Sequence, residues 1–386
     1  MCHGQPDGEG QGSVTITAGA SSESSAAPAH QPKVNARRVI RHIFLSEYFV
    51  LYLSLAYFLA LAPFLAGFAT IPNITGNILG NMWPLIPIVI GQTVVLIVKG
   101  IDLSQGAIVG FTSVLGAAIM TSRVKEVQFE KSVLWDWLLT PAGGPLAKSI
   151  AAAPVAIGVM LLVGGLIGLI NGLSVSRLRM PAFMVTLVTS TFFASVAIWM
   201  TRSYNIGALP DEFISVGKGT FFVIPFAMVV ALITAILVHI LLSRMVAGRG
   251  LYATGTNETA ARVSGVPTRR VVTLAFIISG VCAATSSVLF TARLEAGFPT
   301  LGSGTFMLEV IAAAVIGGTS LFGGSGKVIW AFFGVLFFSI LSNSLSLMGL
   351  SPFVFDAVRG TIILIVIVLE VVRTKFQMTT TKTATL

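Results

Sequence analysis

Arg244-Met-Val-Ala-Gly-Arg-Gly-Leu-Tyr-Ala-Thr-Gly-Thr-Asn-Glu-Thr-Ala-Ala-Arg-Val-Ser-Gly-Val-Pro-Thr-Arg-Arg270 is a polar island between two apolar runs, residues 221–242 before it and 271–290 after it. Charges and unpaired backbone in hydrocarbon cost several kcal/mol each, so the island must protrude into water between two membrane spans. Its middle, 257–263, reads as a short helix. Thr256 or Asn257 can cap it, Glu258 sits in its first turn, Ala260 and Ala261 favour helix, and Gly265 with Pro267 stops it. Five basic residues surround it, Arg244, Arg249, Arg262, Arg269 and Arg270. A short helix so placed suits docking onto a partner on the positive side of the membrane.

Working outward, the composition agrees. Of 386 residues 55% are apolar and 10% charged, and the mean hydropathy is +0.91. Soluble domains carry about 25% charged residues. The apolar runs are long enough for helices and lack the short alternation of a membrane barrel. The expected fold is therefore an all-α membrane protein, a polytopic bundle of about ten transmembrane helices. A net charge of +9 suggests a polyanion binder at first sight. The charges lie in the loops instead, as the positive-inside rule requires, so no nucleic acid is expected as a partner. Cys2 and Cys282 offer neither a disulfide framework nor a metal site, and no cofactor is implied.

Residues 1–32 are rich in Gly, Ser, Ala and Gln and show neither periodicity nor an apolar signal stretch. With the basic residues that follow, 1–45 reads as a disordered polar and basic tail in the cytoplasm. Residues 46–373 read as the transmembrane domain and 374–386 as a cytoplasmic C-terminal tail. The spans are expected near 47–70, 83–98, 106–122, 149–173, 182–201, 220–242, 271–291, 305–323, 328–347 and 354–372. With both termini cytoplasmic, the inside segments hold Lys33, Arg37, Arg38, Arg41, Lys99, Arg177, Arg179, Arg244, Arg249, Arg262, Arg269, Arg270, Lys327, Arg373, Lys375 and Lys382. The outside segments hold Arg123, Lys125, Lys131, Lys148, Arg202, Lys218 and Arg293. One span too many or too few would turn the island outward. The outside loops 123–148 and 202–219 read as solvated connectors, with a soluble partner outside as the alternative, and Trp135 and Trp137 at the interface.

Several motifs carry alternatives. Lys99-Gly-Ile-Asp-Leu-Ser-Gln-Gly106 suggests either a broken helix lining a polar cavity, with Asp102 inside it, or a tight interfacial turn with Asp102 capping the next helix. Gly317-Gly-Thr-Ser-Leu-Phe-Gly-Gly-Ser-Gly-Lys327 fails as a phosphate loop. Leu321 stands where the first glycine should be, and Val328 follows the lysine. Its glycines fit a tight turn. Glu309 and Arg359 are intramembrane charges that could pair with each other, or Arg359 with Asp356, or could meet a solute. Gln92, Asn171 and Thr186 could join helices or bind a hydroxylated solute. None of the four histidines sits near a nucleophile with a carboxylate, so no catalytic residues are expected. Two Asn-x-Thr sequons, at Asn73 and Asn257, are short enough to arise by chance.

Four ordered stretches together resemble the ribose-type permeases of bacterial ABC sugar importers. They are Gly100-Ile-Asp-Leu-Ser, Leu166-Ile-Gly-Leu-Ile-Asn-Gly-Leu with Arg179-Met-Pro-Ala-Phe-Met-Val-Thr-Leu, Gly250-Leu-Tyr-Ala-Thr-Gly-Thr-Asn-Glu-Thr-Ala-Ala-Arg-Val-Ser-Gly-Val, and Ile311-Ala-Ala-Ala-Val-Ile-Gly-Gly-Thr-Ser-Leu-Phe-Gly-Gly. The resemblance covers about residues 45–373. It implies a multi-pass inner-membrane subunit working as two permease copies, with a fused double-cassette ATPase inside and a periplasmic solute-binding protein outside. Arg249, Gly255, Glu258, Ala261, Arg262 and Gly265 would couple to the ATPase. Gln92, Asp102, Asn171, Thr186, Glu309 and Arg359 would border the path of a monosaccharide or related polyol. The family pattern Leu-Asp-Ala-Ile reads Leu308-Glu-Val-Ile here. The rival readings are an ion-coupled secondary transporter, which needs titratable groups at the membrane midplane, and a membrane enzyme, for which the sequence offers no catalytic constellation.

Overall fold

The computed structural model describes residues 46–351 and 353–365, with 368 and 371. Both expected tails lie outside the described residues. The chain is mostly helical. In order come α1 (Phe49–Leu61), α2 (Ile71–Ile97), α3 (Gln105–Met120), α4 (Ala152–Ser176), α5 (Ala182–Thr201), α6 (Asp211–Lys218), α7 (Phe226–Arg244), α8 (Val246–Thr256), α9 (Glu258–Val263), α10 (Thr268–Leu294), α11 (Phe306–Ile316), α12 (Val328–Leu347) and helical residues at 353–365.

Among the described residues six helices are long and apolar enough to cross a bilayer: α2, α4, α5, α7, α10 and α12. A hydrocarbon core of about 30 Å needs about 20 helical residues. The expectation of about ten full spans is thus met in part. The segments expected at 47–70, 106–122 and 305–323 fold as helices of 13, 16 and 11 residues. Glycine turns take up the remainder of 305–323. The segment expected at 83–98 begins twelve residues earlier, as a 27-residue helix. Its start contains Pro72, Asn73, Thr75, Gly76 and Asn77, whose polarity hides it in a hydropathy reading. Residues 74–79 wind as a π-helix. The run expected at 220–242 opens instead as a hairpin pairing Thr220–Phe221 with Ile224–Pro225.

The centre is α10, packed along α4 and against α2 and α3. At three glycines of α4 no side chain can stand between α4 and α10. A Cβ on Gly164 would lie 2.5 Å from the Gly280 carbonyl oxygen, one on Gly168 2.2 Å from that of Phe276, and one on Gly172 2.8 Å from the Thr273 Cα. Glycines four residues apart occupy one helical face and let two backbones touch, the close packing that drives helix association in lipid. The main core is built chiefly from α2, α7, α10, α11 and α12, with Ile108 and Val109 of α3. The outward face of α5, with Phe183, Val188 and Trp199, is exposed.

The loops expected to be solvated connectors pack instead. Phe129, Leu134, Leu139 and Phe213 are buried in a second core with Met160 and Val288. Residues 202–219 contain α6, amphipathic, with Gly217 set against the Ala292–Arg293 backbone of α10. Trp135 packs at this second core, whereas Trp137 is exposed.

Candidate functional site

The island folds as two short helices, α8 and α9, where one was expected. Asn257 is the cap: its Oδ1 accepts the Ala260 N–H at 3.0 Å. Gly265, at φ +84°, ends α9, and the Val266 N–H returns to the Ala261 carbonyl at 2.9 Å. This is the left-handed stop that glycine supplies without a Cβ penalty. α8 escaped the sequence reading because its Gly and Thr content is poor for helix. Tertiary contacts hold it. Tyr252 donates to the Gly326 carbonyl at 2.7 Å, Lys99 Nζ donates to the Thr256 carbonyl at 3.2 Å, and Gly255 lies against the Ile97 carbonyl. The Gly324 N–H also donates to that carbonyl, at 2.9 Å. Burial raises the Tyr252 phenol above its ordinary pKa. The island is thus clamped to the end of α2 and to the glycine turn before α12.

The six expected coupling residues divide. Arg249, Glu258, Arg262 and Gly265 are exposed, and Glu258 pairs with Arg262 one turn on. Gly255 and Ala261 are buried and face the chain's own bundle.

At this same end lie Lys99, Arg179, the island, the 317–327 turn and the Lys327–Glu47 ion pair at 2.7 Å. At the other end Ile206 bridges Gly297, the Ser122 N–H meets the Ala208 carbonyl, Lys218 pairs with Glu295, and Arg293 reaches the Gly76 carbonyl at 2.8 Å. The segments assigned to opposite sides by charge therefore gather at opposite ends.

Of the expected pathway residues, Asp102 and Asn171 belong to one network. Asp102 Oδ1 accepts the Ser104 N–H at 3.0 Å and the Ser104 hydroxyl at 2.6 Å, and Oδ2 accepts the Ser279 hydroxyl at 2.6 Å. Asn171 Nδ2 donates to Ser104 Oγ at 2.8 Å, and Thr189 donates to Asn171 Oδ1 at 2.7 Å. Gln105 Nε2 donates to Ser279 Oγ at 2.8 Å. Each donor in the chain points its hydrogen toward the carboxylate, whose turn is thereby tied to α3, α4, α5 and α10. The Asp102 side chain closes a turn over 102–104, but Ser104, not Asp102, stands at the cap of α3. Asp102 is wholly buried rather than interfacial. Thr186 is buried and donates to the Ile101 carbonyl at 3.2 Å. Gln92 is buried and its amide has no partner among the described residues, and neither has Gln105 Oε1. Buried polar groups are normally paired, so these three atoms stand out among the described residues.

Glu309 and Arg359 form the expected ion pair, at 3.2 Å, and Arg359 also donates to Ser342 Oγ at 2.7 Å. Asp356 instead accepts from Thr305 at 3.4 Å. Nearby, Asn73 and Asn343 exchange amide hydrogen bonds of 2.8 and 3.0 Å. Asn73, the residue of the first sequon, is buried with its amide hydrogen-bonded to Phe68 and Asn343. The sequence reading missed Ser104, Gln105, Thr189, Ser279, Ser342 and Asn343. Small polar residues on apolar helices are too common to flag singly. Only their spacing opposite Asp102 or Glu309, a tertiary fact, reveals them.

Comparison with known proteins gives this geometry its setting. The family described as the permease component of branched-chain amino acid transport systems matches residues 74–367. The chain is 31% identical over 323 residues to the D-allose transport system permease protein AlsC of Escherichia coli, covering 84% of this chain and 90% of that one. It is 33% identical over 285 residues to the ribose import permease protein RbsC of Bacillus subtilis, covering 73% and 80%. It is 31% identical over 201 residues to the L-arabinose transport system permease protein AraH of Escherichia coli, covering 52% and 61%. No solved structure matches the chain. Permease components of this family work with a separate ATPase and a periplasmic binding protein, so the chain is not itself an enzyme. It belongs to the permease family of ABC importers, as a ribose-type, multi-pass subunit of the bacterial inner membrane.

Proposed function

We propose that this subunit forms the import path for a monosaccharide or related small polyol, and that residues 250–266 pass the motion of the ATPase to the spans. The observation that carries the reading is the clamp of the island on Ile97, Lys99 and Gly324. A displacement of α9, whose exposed Glu258–Arg262 pair can meet a partner, pulls on the ends of α2 and α12. From Ile97 the pull reaches the Asp102 turn, and through its network α3, α4, α5 and α10. ATP can drive this only if the closed and open cassettes contact the two permease states differently. Arg249 and Gly265 belong to the same contact surface. Gly255 and Ala261 transmit from beneath it.

The proposal includes ten membrane segments in residues 46–373 with both termini cytoplasmic, the short helices α1, α3 and α11 being carried inside the bundle. It also includes a second permease copy, a fused double-cassette ATPase and lipid against the remaining apolar faces. Gln92, Asp102, Asn171, Thr186, Glu309 and Arg359 lie beside the path. The unpartnered Gln92 amide is the group best suited to a sugar hydroxyl when the path opens. The sugar assignment draws on relatives named for allose, ribose and arabinose.

Reconstitution with the ATPase and binding protein tests this. Deleting 256–266 should abolish solute-stimulated ATP hydrolysis while the chain still inserts. Normal transport by the deletion would refute the coupling role. Transport without the ATPase that collapses with an ionophore would establish ion coupling instead.

A further inference from the structure

A cleft of about 540 Å³ opens at the island end, between the 98–100 turn, the start of α5, and helices α8, α9 and α10. Its charged lining is Lys99, Arg179, Arg262 and Arg269, with Glu258 as the carboxylate. Arg262 is spent on Glu258, and Lys99 donates to the Thr256 carbonyl with further N–H groups to spare. Arg179 and Arg269 have no ion-pair partner among the described residues. A further wall residue is Thr254, only 3% exposed, whose hydroxyl has no hydrogen-bond partner among the described residues. A buried hydroxyl left unpaired loses its water without compensation. Ser176 and Thr268 also line it, their hydroxyls engaged with Thr273 and Glu258, and the rest, including Val175, Met180, Val272 and Phe276, is apolar.

We propose that this cleft binds a phosphate-bearing ligand, with Arg179 and Arg269 on the phosphate oxygens and Thr254 as a third donor. Guanidinium forks match phosphate geometry in pairs of hydrogen bonds, and a neutral hydroxyl adds a donor without further charge. The volume leaves room for the body that carries the phosphate, against the apolar wall. Two sources have this chemistry, the headgroup of an anionic inner-leaflet lipid and a soluble phosphorylated sugar. Either would touch α9 and the 98–100 turn together, and so would stiffen the joint between island and bundle. That the cleft faces the cytosol rests on the topology proposed above. Binding itself does not, because nanodiscs expose both faces.

The full chain, in complex with its ATPase, is placed in phosphatidylcholine nanodiscs. One arm titrates glucose 6-phosphate by calorimetry. The other replaces part of the lipid with phosphatidylglycerol and follows the thermal midpoint. The unmodified chain should respond in at least one arm, and which arm responds identifies the source. Arg179→Gln with Arg269→Gln should weaken binding about a hundredfold, roughly tenfold for each charged donor, and Thr254→Val about fivefold. Arg177→Gln, at the same end but outside the lining, should change nothing. The Thr254→Val result stands alone if the double variant fails to fold. No response in either arm overturns the proposal, as does undiminished binding by both the double variant and Thr254→Val. An equal loss in Arg177→Gln overturns it too, since it would show charge attraction without a site.

Discussion

Gly255→Ala pits two effects of opposite sign against each other. Position 255 lies inside α8, where alanine is favoured over glycine by about 1 kcal/mol. The added Cβ, however, would stand 1.7 Å from the Ile97 carbonyl oxygen and 2.7 Å from the Gly324 nitrogen. Both are backbone atoms and cannot rotate away. Restoring an ordinary carbon–oxygen separation takes a retreat of about 1.5 Å. That distance breaks the Lys99–Thr256 and Tyr252–Gly326 hydrogen bonds, each worth about 1 kcal/mol. Overpacking adds about 1–3 kcal/mol. The clash wins, by a net of roughly 2–4 kcal/mol against the helix-propensity gain. Gly158→Ala is the control, since a Cβ there meets nothing within 4 Å. In the reconstituted complex Gly255→Ala should lower both the thermal midpoint and solute-stimulated ATP hydrolysis, while Gly158→Ala, inside α4, gains only helix propensity, so its midpoint should not fall and its hydrolysis should be unchanged. A Gly255→Ala chain with unaltered midpoint and coupling would refute the clamp.

Asp102→Ala strands three donors, from Ser104 and Ser279, and should cost about 3–5 kcal/mol, with Asp102→Asn milder; detergent-solution melting measures both. Arg359→Leu alone leaves Glu309 buried and unpaired and should destabilise by about 3–5 kcal/mol, whereas Arg359→Leu with Glu309→Leu should recover most of it. A double variant as poor as the single would show that the pair does more than satisfy its own charges. Asn73→Leu should likewise be rescued in part by Asn343→Leu, read as expression and melting. Lys327→Ala removes an exposed ion pair with Glu47 and should cost no more than about 1 kcal/mol in the same assay.

Hydropathy made the apolar helices legible because a lipid-facing helix must be apolar along its length, and α5 and α12 occupy the residues 182–201 and 328–347 that the sequence marks out. The start of α2 was illegible for the complementary reason. Asn73 is paid for by Asn343, 270 positions away, and no local pattern reveals that partner. α9 and its Asn257 cap follow from local chemistry, and the sequence reads them correctly. α8 does not, since its weak intrinsic helicity is overridden by Ile97, Lys99 and Gly326. The Glu309–Arg359 pair could be guessed because intramembrane charges are scarce. The Asp102 network could not, although the sequence marks both Asp102 and Asn171, because its other donors are ordinary serines, a threonine and a glutamine whose convergence depends on how α3, α4, α5 and α10 cross.

The central claim is that the island meets its motor in the cytosol, and cysteine accessibility at Glu258 tests it most directly. Cys282 is buried, so Cys2→Ser with Glu258→Cys leaves one reactive thiol, with Asp211→Cys as the companion for the opposite face. A membrane-impermeant maleimide should label Glu258→Cys in inverted membrane vesicles and not in spheroplasts, and Asp211→Cys the other way round. Labelling of Glu258→Cys in intact spheroplasts would contradict the account.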